Sequence, residues 1–247
     1  MTLSVCMATY NGERYLPEQV ASILAQMEPT DELVVVDDAS RDGTVAYLEG
    51  LGDPRIRVHR NEANLGHVQS FAKVIGLARQ PYILMADQDD VWIEGRARAM
   101  REVLDGGAAL VSTNSEFIDA QGCPIPPLHT GLSAENSRRN AANILGILTG
   151  RAFYDGCAMG LREELRDIVL PIPRYVESHD LWIAMAANVA GSNAHLERIT
   201  LRRRIHGNNA SVGRRPLARK LWSRAIFLLS LLHIGLRLLT RRTRLRR

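Results

Sequence analysis

Three carboxylates crowd four positions of the chain: Asp87, Asp89 and Asp90, inside the stretch Tyr82 to Trp92, YILMADQDDVW. The apolar run ahead of them (Tyr82, Ile83, Leu84, Met85, Ala86) reads as a fully buried strand, so the acids stand at a strand end. Acids this close raise one another's pKa unless a divalent cation or basic groups neutralise them. The Asp-x-Asp alternation suits a hard cation, because two oxygens leave the strand end on one side and leave room for phosphate oxygens on the other. The rival reading is a solvated acidic turn before a helix at Trp92, since a three-residue pattern recurs by chance. A second apolar run, Glu32 to Asp38 (ELVVVDD), also ends on acids, where a helix cap or turn is as good a reading as a ligand contact. Further along, Asp180 stands between His179 and Leu181-Trp182 at the start of an apolar helix, a place the helix dipole favours for an acid. Cys157 reads as a small buried residue rather than a nucleophile.

These groups need a frame. At 247 residues, 46% hydrophobic and 23% charged, the chain has the composition of one sizeable α/β domain, and disordered and collagen-like classes are excluded. Cys6, Cys123 and Cys157 are odd in number, widely spaced and form no Cys-x-x-Cys, which argues against a disulfide framework or a zinc site. The N-terminus lacks a basic n-region and runs directly into the strand-like Leu3 to Ala8, so no secretory leader is expected. A helix with Tyr15, Val20, Ile23 and Leu24 inward follows, then the strand to Asp37, a helix over 45–51, a short strand over 55–60, and a helix over 68–78. Val68, Phe71, Ala72, Ile75 and Leu77 form the core face of that last helix, Pro81 stops it, and the acidic strand comes next. This β-α-β-α-β-α-β alternation implies a parallel sheet with helices on both faces, and ligands of such sheets bind at the carboxyl ends of the strands. The second half reads as a helix over 96–104, a strand over 108–113, a long irregular loop over 114–137, a helix over 138–150 and a short strand over 153–160. A helix from about Asp180 to Val189, a strand over 197–205 and a loop over 206–211 complete it.

Four segments in order, ATYNG (8–12), VVVDDASRDGT (34–44), NLG (64–66) and ADQDDVW (86–92), resemble the family-2 glycosyltransferases. These share the GT-A fold, a Rossmann-like, mostly parallel sheet flanked by helices that binds a nucleotide-sugar; the DQDDVW form is most similar to bacterial rhamnosyltransferases of that family. The resemblance implies an inverting, metal-dependent glycosyltransferase in cell-surface polysaccharide synthesis. It would move a sugar, rhamnose among the candidates, from dTDP-rhamnose or a UDP-sugar to a glycan or lipid-linked acceptor. Thr9, Tyr10 and Asn11 would line the base pocket, and Asp38 would accept the imide N–H of uracil or thymine. Asp87 would sit near the ribose, and Asp89 would bind the Mg²⁺ or Mn²⁺ that holds the diphosphate. Asn64 stands beside the nucleotide in this reading, or is a turn residue. Asp180 matches the general base, which inverting transfer needs because a hydroxyl is a poor nucleophile at neutral pH. The family more often writes Glu-Asp there, so His179 has no assigned role. RIHGNN (204–209) resembles a segment where a His approaches the metal; His206 would be a further ligand and Arg204 a phosphate neighbour, with turn stabilisation or surface charge as the rival.

The net charge of +4 hides an asymmetry: Arg214 to Arg247 holds ten Arg, one Lys and no acid, which leaves 20 basic against 27 acidic residues before it. The expected division is a GT-A domain over 1–213, its donor half 1–113 and its acceptor half 114–213, followed by a basic amphipathic tail over 214–247. From Leu217 the tail reads as one helix, with Leu217, Leu221, Leu228, Leu232 and Leu239 on one face and Arg219, Ser223, Ser230, Arg237 and Arg241 roughly opposite. The apolar run Ala225 to Leu232 is short for a span and is closed by His233 and Arg237. Residues 217–247 are therefore expected to lie on an anionic membrane surface, on the inner face of the cell membrane, with the rest cytoplasmic and no nucleic acid as partner. The alternative is a helix packed on its own domain or on a second subunit. Two other function classes compete: an Asp-x-Asp phosphatase-like enzyme using Asp87-Gln-Asp89-Asp-Val91, and a non-catalytic, membrane-associated nucleotide-sugar-binding protein, which only Asp180 opposes.

Overall fold

A computed structural model describes residues 1–207 and 216–244, the side chains of Leu217 and 241–244 excepted. The expected loop after Gly207 and the basic pair Arg214-Arg215 lie outside the described residues. The strands are β1 (Leu3–Thr9), β2 (Glu32–Asp37), β3 (Ile56–Arg60), β4 (Tyr82–Ala86), β5 (Val91–Trp92), β6 (Leu110–Ile118), β7 (Pro124–Ile125), β8 (Met159–Arg162) and β9 (Asn193–Arg204). The helices are α1 (Leu16–Leu24), α2 (Thr44–Gly50), α3 (His67–Leu77), α4 (Arg96–Asp105), α5 (Asn140–Thr149), α6 (Glu163–Val169), α7 (His179–Ala190) and α8 (Leu217–Arg244).

The strands form one mixed sheet in the order β3-β2-β1-β4-β8-β6-β9-β5, with β7 paired to β6. The first four are parallel neighbours, as the β-α alternation demands. Val5 and Met7 face one layer with α1 and α4, while Cys6 between them faces the other with α3 and α7. Period-two alternation thus fills both faces, which is why these strands read as unbroken apolar runs. Pairing Thr9 with Asp37 and Met7 with Ala86 brings the ends of β1, β2 and β4 to one edge.

Several elements differ from expectation: α6 has no counterpart in the sequence reading, and β9 begins at Asn193, four residues before the expected strand. The loop after residue 113 is shorter, because Asn114 to Ile118 continue β6 and β7 folds back on Phe117 and Ile118 around a turn whose amides bond to Asp119. The strand expected over 153–160 is confined to Met159–Arg162; a 3-10 turn at Gly156–Ala158 precedes it. Trp92 begins no helix: Val91 and Trp92 pair antiparallel with Arg202 and Leu201, and α4 starts only after Gly95, whose left-handed φ of 81° makes the turn.

The tail helix packs on the domain with the face expected to be its polar side. Ser223 and Ser230 are buried, Ser223 Oγ donates to Glu177, and Arg237 donates to the carbonyls of Ile168, Val169 and Pro171 while stacking over Trp182. Ile226, Phe227 and Ile234 complete that face, and the Leu face turns outward, with Leu221, Leu232 and Leu239 each more than 60% exposed. The tail is one helix as expected, and Ala218–Thr240, with an 18-residue window of mean hydropathy 1.4, is long and apolar enough to cross a membrane by length and composition, although His233 and Arg237 interrupt its apolar run.

Candidate active site

The ends of β1, β2 and β4, the start of α7 and the end of β9 enclose one cavity of about 890 Å³. Its lining includes Thr9, Tyr10, Asn11, Asp38, Asn64, Asp87, Asp89, Asp180 and His206. Residues as far apart as Thr9 and His206, 197 positions in sequence, thus meet in one space.

Hydrogen bonds between loops fix this rim. Tyr10 N donates to Gln88 Oε1 at 2.8 Å and Gln88 Nε2 returns a bond to Tyr10 O, tying the β1 loop to the acidic turn. Asn11, at a φ of 49° that Asn tolerates, accepts from Arg41 N and donates its own N–H to Ser40 Oγ, tying the same loop to β2. Thr9 Oγ1 is spent on the fully buried Asp37 at 3.1 Å. Asp38, followed by Ala39 in the left-handed region, accepts from Asn61 Nδ2, Leu65 N and Gly66 N at 2.8–2.9 Å. A carboxylate has about four acceptor positions, so one remains. Asn64 does the turn work of its rival reading, its Oδ1 accepting from Gly66 N at 3.1 Å, and also faces the cavity.

The acidic turn is held from below by β9. Arg204 N donates to Asp90 Oδ1, Arg204 Nε to Asp89 O, and its guanidinium pairs with Glu18 at 2.6 Å and stacks over Tyr15. Arg204 is therefore a buried strut beneath the turn and not part of the cavity lining, contrary to the phosphate-neighbour expectation. Arg203, one residue earlier, lines the cavity and is paired with Asp155 at 2.5 Å. Arg96, fully buried, donates to Cys157 O and Thr200 Oγ1 and lies over Trp92, so its charge is also structural.

Burial and the charge of Asp89 push Asp87 up to about 7; Arg203 opposes the shift and Asp180 adds to it. Asp90 is likewise raised well above the ordinary range by burial, Asp89 and Asp87. Burial and these acids also push up the Cys157 thiol, which keeps it an inert buried group. A cation would relieve this crowding. His206 Nε2 lies 2.6 Å from Asp89 Oδ2, with its ring stacked on Tyr15. Asp87, Asp90 and Cys157 each place a ligand atom within 4.8 Å of the others, and Asp90 Oδ2 is buried without a hydrogen-bond partner among the described residues. Two carboxylates and a thiol in the trio, and a carboxylate with an imidazole in the Asp89–His206 pair, are each donors that a divalent cation accepts.

Asp180 stands in the first turn of α7, where Ser178 Oγ and Leu181 N both donate to Oδ1. His179 beside it is buried, stacked on Phe71 at 4.1 Å, and neither ring nitrogen has a partner among the described residues. Burial lowers its pKa to about 4, so the ring is neutral. A Cβ on Gly156 would come within 2.7 Å of its Nε2, which is why glycine stands there. Sequence reasoning missed Gln88, Arg203 and Ser178; the nearest signal was their adjacency to Asp87, Arg204 and Asp180.

Known proteins place this architecture. The family profile for glycosyl transferase family 2 matches residues 4–169. TuaG of Bacillus subtilis (strain 168), assigned to teichuronic acid biosynthesis as a glycosyltransferase, is 26% identical over 227 residues, 89% of this chain and 85% of that protein. The succinoglycan biosynthesis protein ExoO of Rhizobium meliloti (strain 1021) is 35% identical over 117 residues, 47% of this chain and 34% of that protein. Among solved structures, S. aureus TarS 1–349 in complex with UDP-GlcNAc superposes with a TM-score of 0.70 at 21% identity, over 93% of this chain and 67% of that one. Likeness at that identity speaks for the fold, a GT-A sheet with flanking helices and an added C-terminal helix. With two thirds of its length inside the family profile, the chain belongs to glycosyl transferase family 2 and is a glycosyltransferase.

Proposed function

We propose that the protein transfers a sugar, with inversion, from a pyrimidine-diphosphate donor to a glycan or lipid-linked acceptor in cell-surface polysaccharide synthesis. The observation that carries this reading is the meeting of Asp180 with Asp38, Asp87 and Asp89 in one cavity, with Asp180 close enough that its charge bears on Asp87. Asp38 takes the imide N–H of the base through its remaining acceptor position, beside Thr9, Tyr10, Asn11 and Asn64; Asp87 meets the ribose. Asp89 and His206 would hold Mg²⁺ or Mn²⁺, which when bound would offset the charge that builds on the leaving diphosphate. With both donors on Oδ1, the Oδ2 atom of Asp180 is left to take the proton of the acceptor hydroxyl as it attacks. Arg203 rather than Arg204 is the cation facing the phosphates.

Two TarS structures contain UDP-GlcNAc and UDP, which supports a uridine donor, while the DQDDVW form supports dTDP-rhamnose. Residues 1–113 form the donor half, 114–213 the acceptor half, and the tail from 214 the attachment to the inner face of the cell membrane. Support for that attachment is the outward row Leu221, Leu228, Leu232, Leu236 and Leu239, each more than half exposed. Incubation with Mn²⁺ and a panel of UDP- and dTDP-sugars tests the proposal: nucleoside diphosphate release is expected with at least one donor. Release from none, or undiminished transfer by Asp180→Asn, would overturn it.

A further inference from the structure

A second cavity, of about 250 Å³, opens on the other side of the segment that carries Gly156. Its floor is the buried pair Tyr154 and His195, hydrogen-bonded at 3.0 Å with Asn193 donating to the same phenol oxygen, so the floor is rigid and polar. Asn136, Asn143 and Arg151 stand in the walls beside Leu132, Ala142 and Ala152, and among the described residues no acid is in the lining. The Arg151 guanidinium has no hydrogen bond or ion pair among the described residues, and Asn143 is held in place by Asn136 and Asn188 through its Nδ2, leaving Oδ1 to accept. At the rim Phe153 is 44% exposed, its ring held flat against His129 at 5.0 Å and 2°. His129 is in turn fixed by Asp155, which also binds Arg203 and Ser115.

An exposed, immobilised aromatic plane next to amides, a free guanidinium and a polar floor matches the two-sided chemistry of a sugar ring, with apolar C–H faces and a belt of hydroxyls. The absence of acids in the lining argues against cations, and Arg151 suits a ring bearing a carboxylate as well as a neutral one. The placement matters too. Phe153 and Gly156, three residues apart, line different cavities, and the chain between them spans at most about 11 Å. Asp155 in that span pairs with Arg203 of the large cavity, so the two spaces share a wall.

We propose that the cavity at Phe153 is a saccharide subsite, which grips a neutral or acidic sugar unit of the acceptor glycan one or two units away from the hydroxyl that reacts at Asp180. This rests on the transferase reading for its acceptor, although binding at the subsite is separable from transfer. A chain of several units would therefore bind better than a single one, through contacts the reaction centre does not supply.

The test compares the intact protein with Phe153→Ala and Arg151→Ala on an array of bacterial polysaccharide fragments graded from one to six units. Each is also titrated with UDP as a probe of the large cavity. Retention that rises with glycan length and falls about tenfold in Phe153→Ala, with UDP binding unchanged, is the expected result. Arg151→Ala should lose the acidic glycans more than the neutral ones. Retention of no glycan by the intact protein, or equal retention by it and Phe153→Ala, overturns the proposal. A lack of nucleoside diphosphate release with every donor would instead sink the transferase reading and leave the glycan result to stand alone.

Discussion

Replacing Asp180 by Asn keeps the side chain's shape and the acceptor for Ser178 and Leu181, but removes the group that takes a proton. Donor affinity should hold within about twofold while transfer falls by about 10²–10⁴-fold, as removal of a general base does; calorimetry and a transfer assay separate the two. Asp89→Ala removes the partner 2.6 Å from His206, and the expected outcome is loss of stimulation across a Mn²⁺ titration. His179 gives a pH prediction. Its folded pKa, about 4, lies below the ordinary 6.5, so the unfolded chain takes the proton first. Stability from this residue is complete above about 6.5 and drains away as pH falls towards 4. Melting temperatures of His179→Phe, which keeps the stack on Phe71, should fall less between those pH values than those of the unaltered protein. Asp38, Asp89 and Asp180 were singled out by the resemblance of the motifs that hold them, since each taken alone reads equally well as a cap or turn, and the structure lines one cavity with all three. Gln88 and Arg203 were not. Their roles depend on which loop lies across from them, Tyr10 at 78 positions for Gln88, and on which way a strand's alternation turns.

At the level of elements, α8 binds its domain by a face that composition alone assigns to solvent. Helical periodicity separates the Leu row from the Arg and Ser row, but it does not say which row is inward. Ser and Arg can turn inward here because the carbonyls of Ile168 and Val169 at the end of α6, the carbonyl of Pro171, and Glu177 meet them. Ile234, fully buried against α7, should cost about 2–5 kcal/mol when replaced by Ala, measured by urea unfolding followed by far-UV circular dichroism. Strands β1, β2 and β4 were legible because apolar runs of four or five residues belong to strands covered on both faces, and β3 because Ile56 and Val58 alternate with polar residues. The hairpin at Ile118 and Pro124 was not, since prolines and a glycine there mark a turn without showing that the chain pairs on either side of it.

Considered whole, the molecule presents a row of exposed leucines from α8 on the domain whose cavity holds Asp180. Leu228, Leu232 and Leu236 replaced together by Ser should leave the fold intact and reduce pelleting with anionic vesicles several-fold, because each loses apolar area that the lipid would cover. Equal pelleting would assign the outer face to another partner. The central claim concerns the large cavity, and diffraction from crystals of the protein grown with Mn²⁺ and UDP or dTDP tests it most directly. The account predicts the pyrimidine ring on Asp38, the cation between Asp89 and the diphosphate, and the Asp180 carboxylate facing the open side of the terminal phosphate. A nucleotide seated away from the ends of β1, β2 and β4, or a cation that leaves Asp89 untouched, would contradict it.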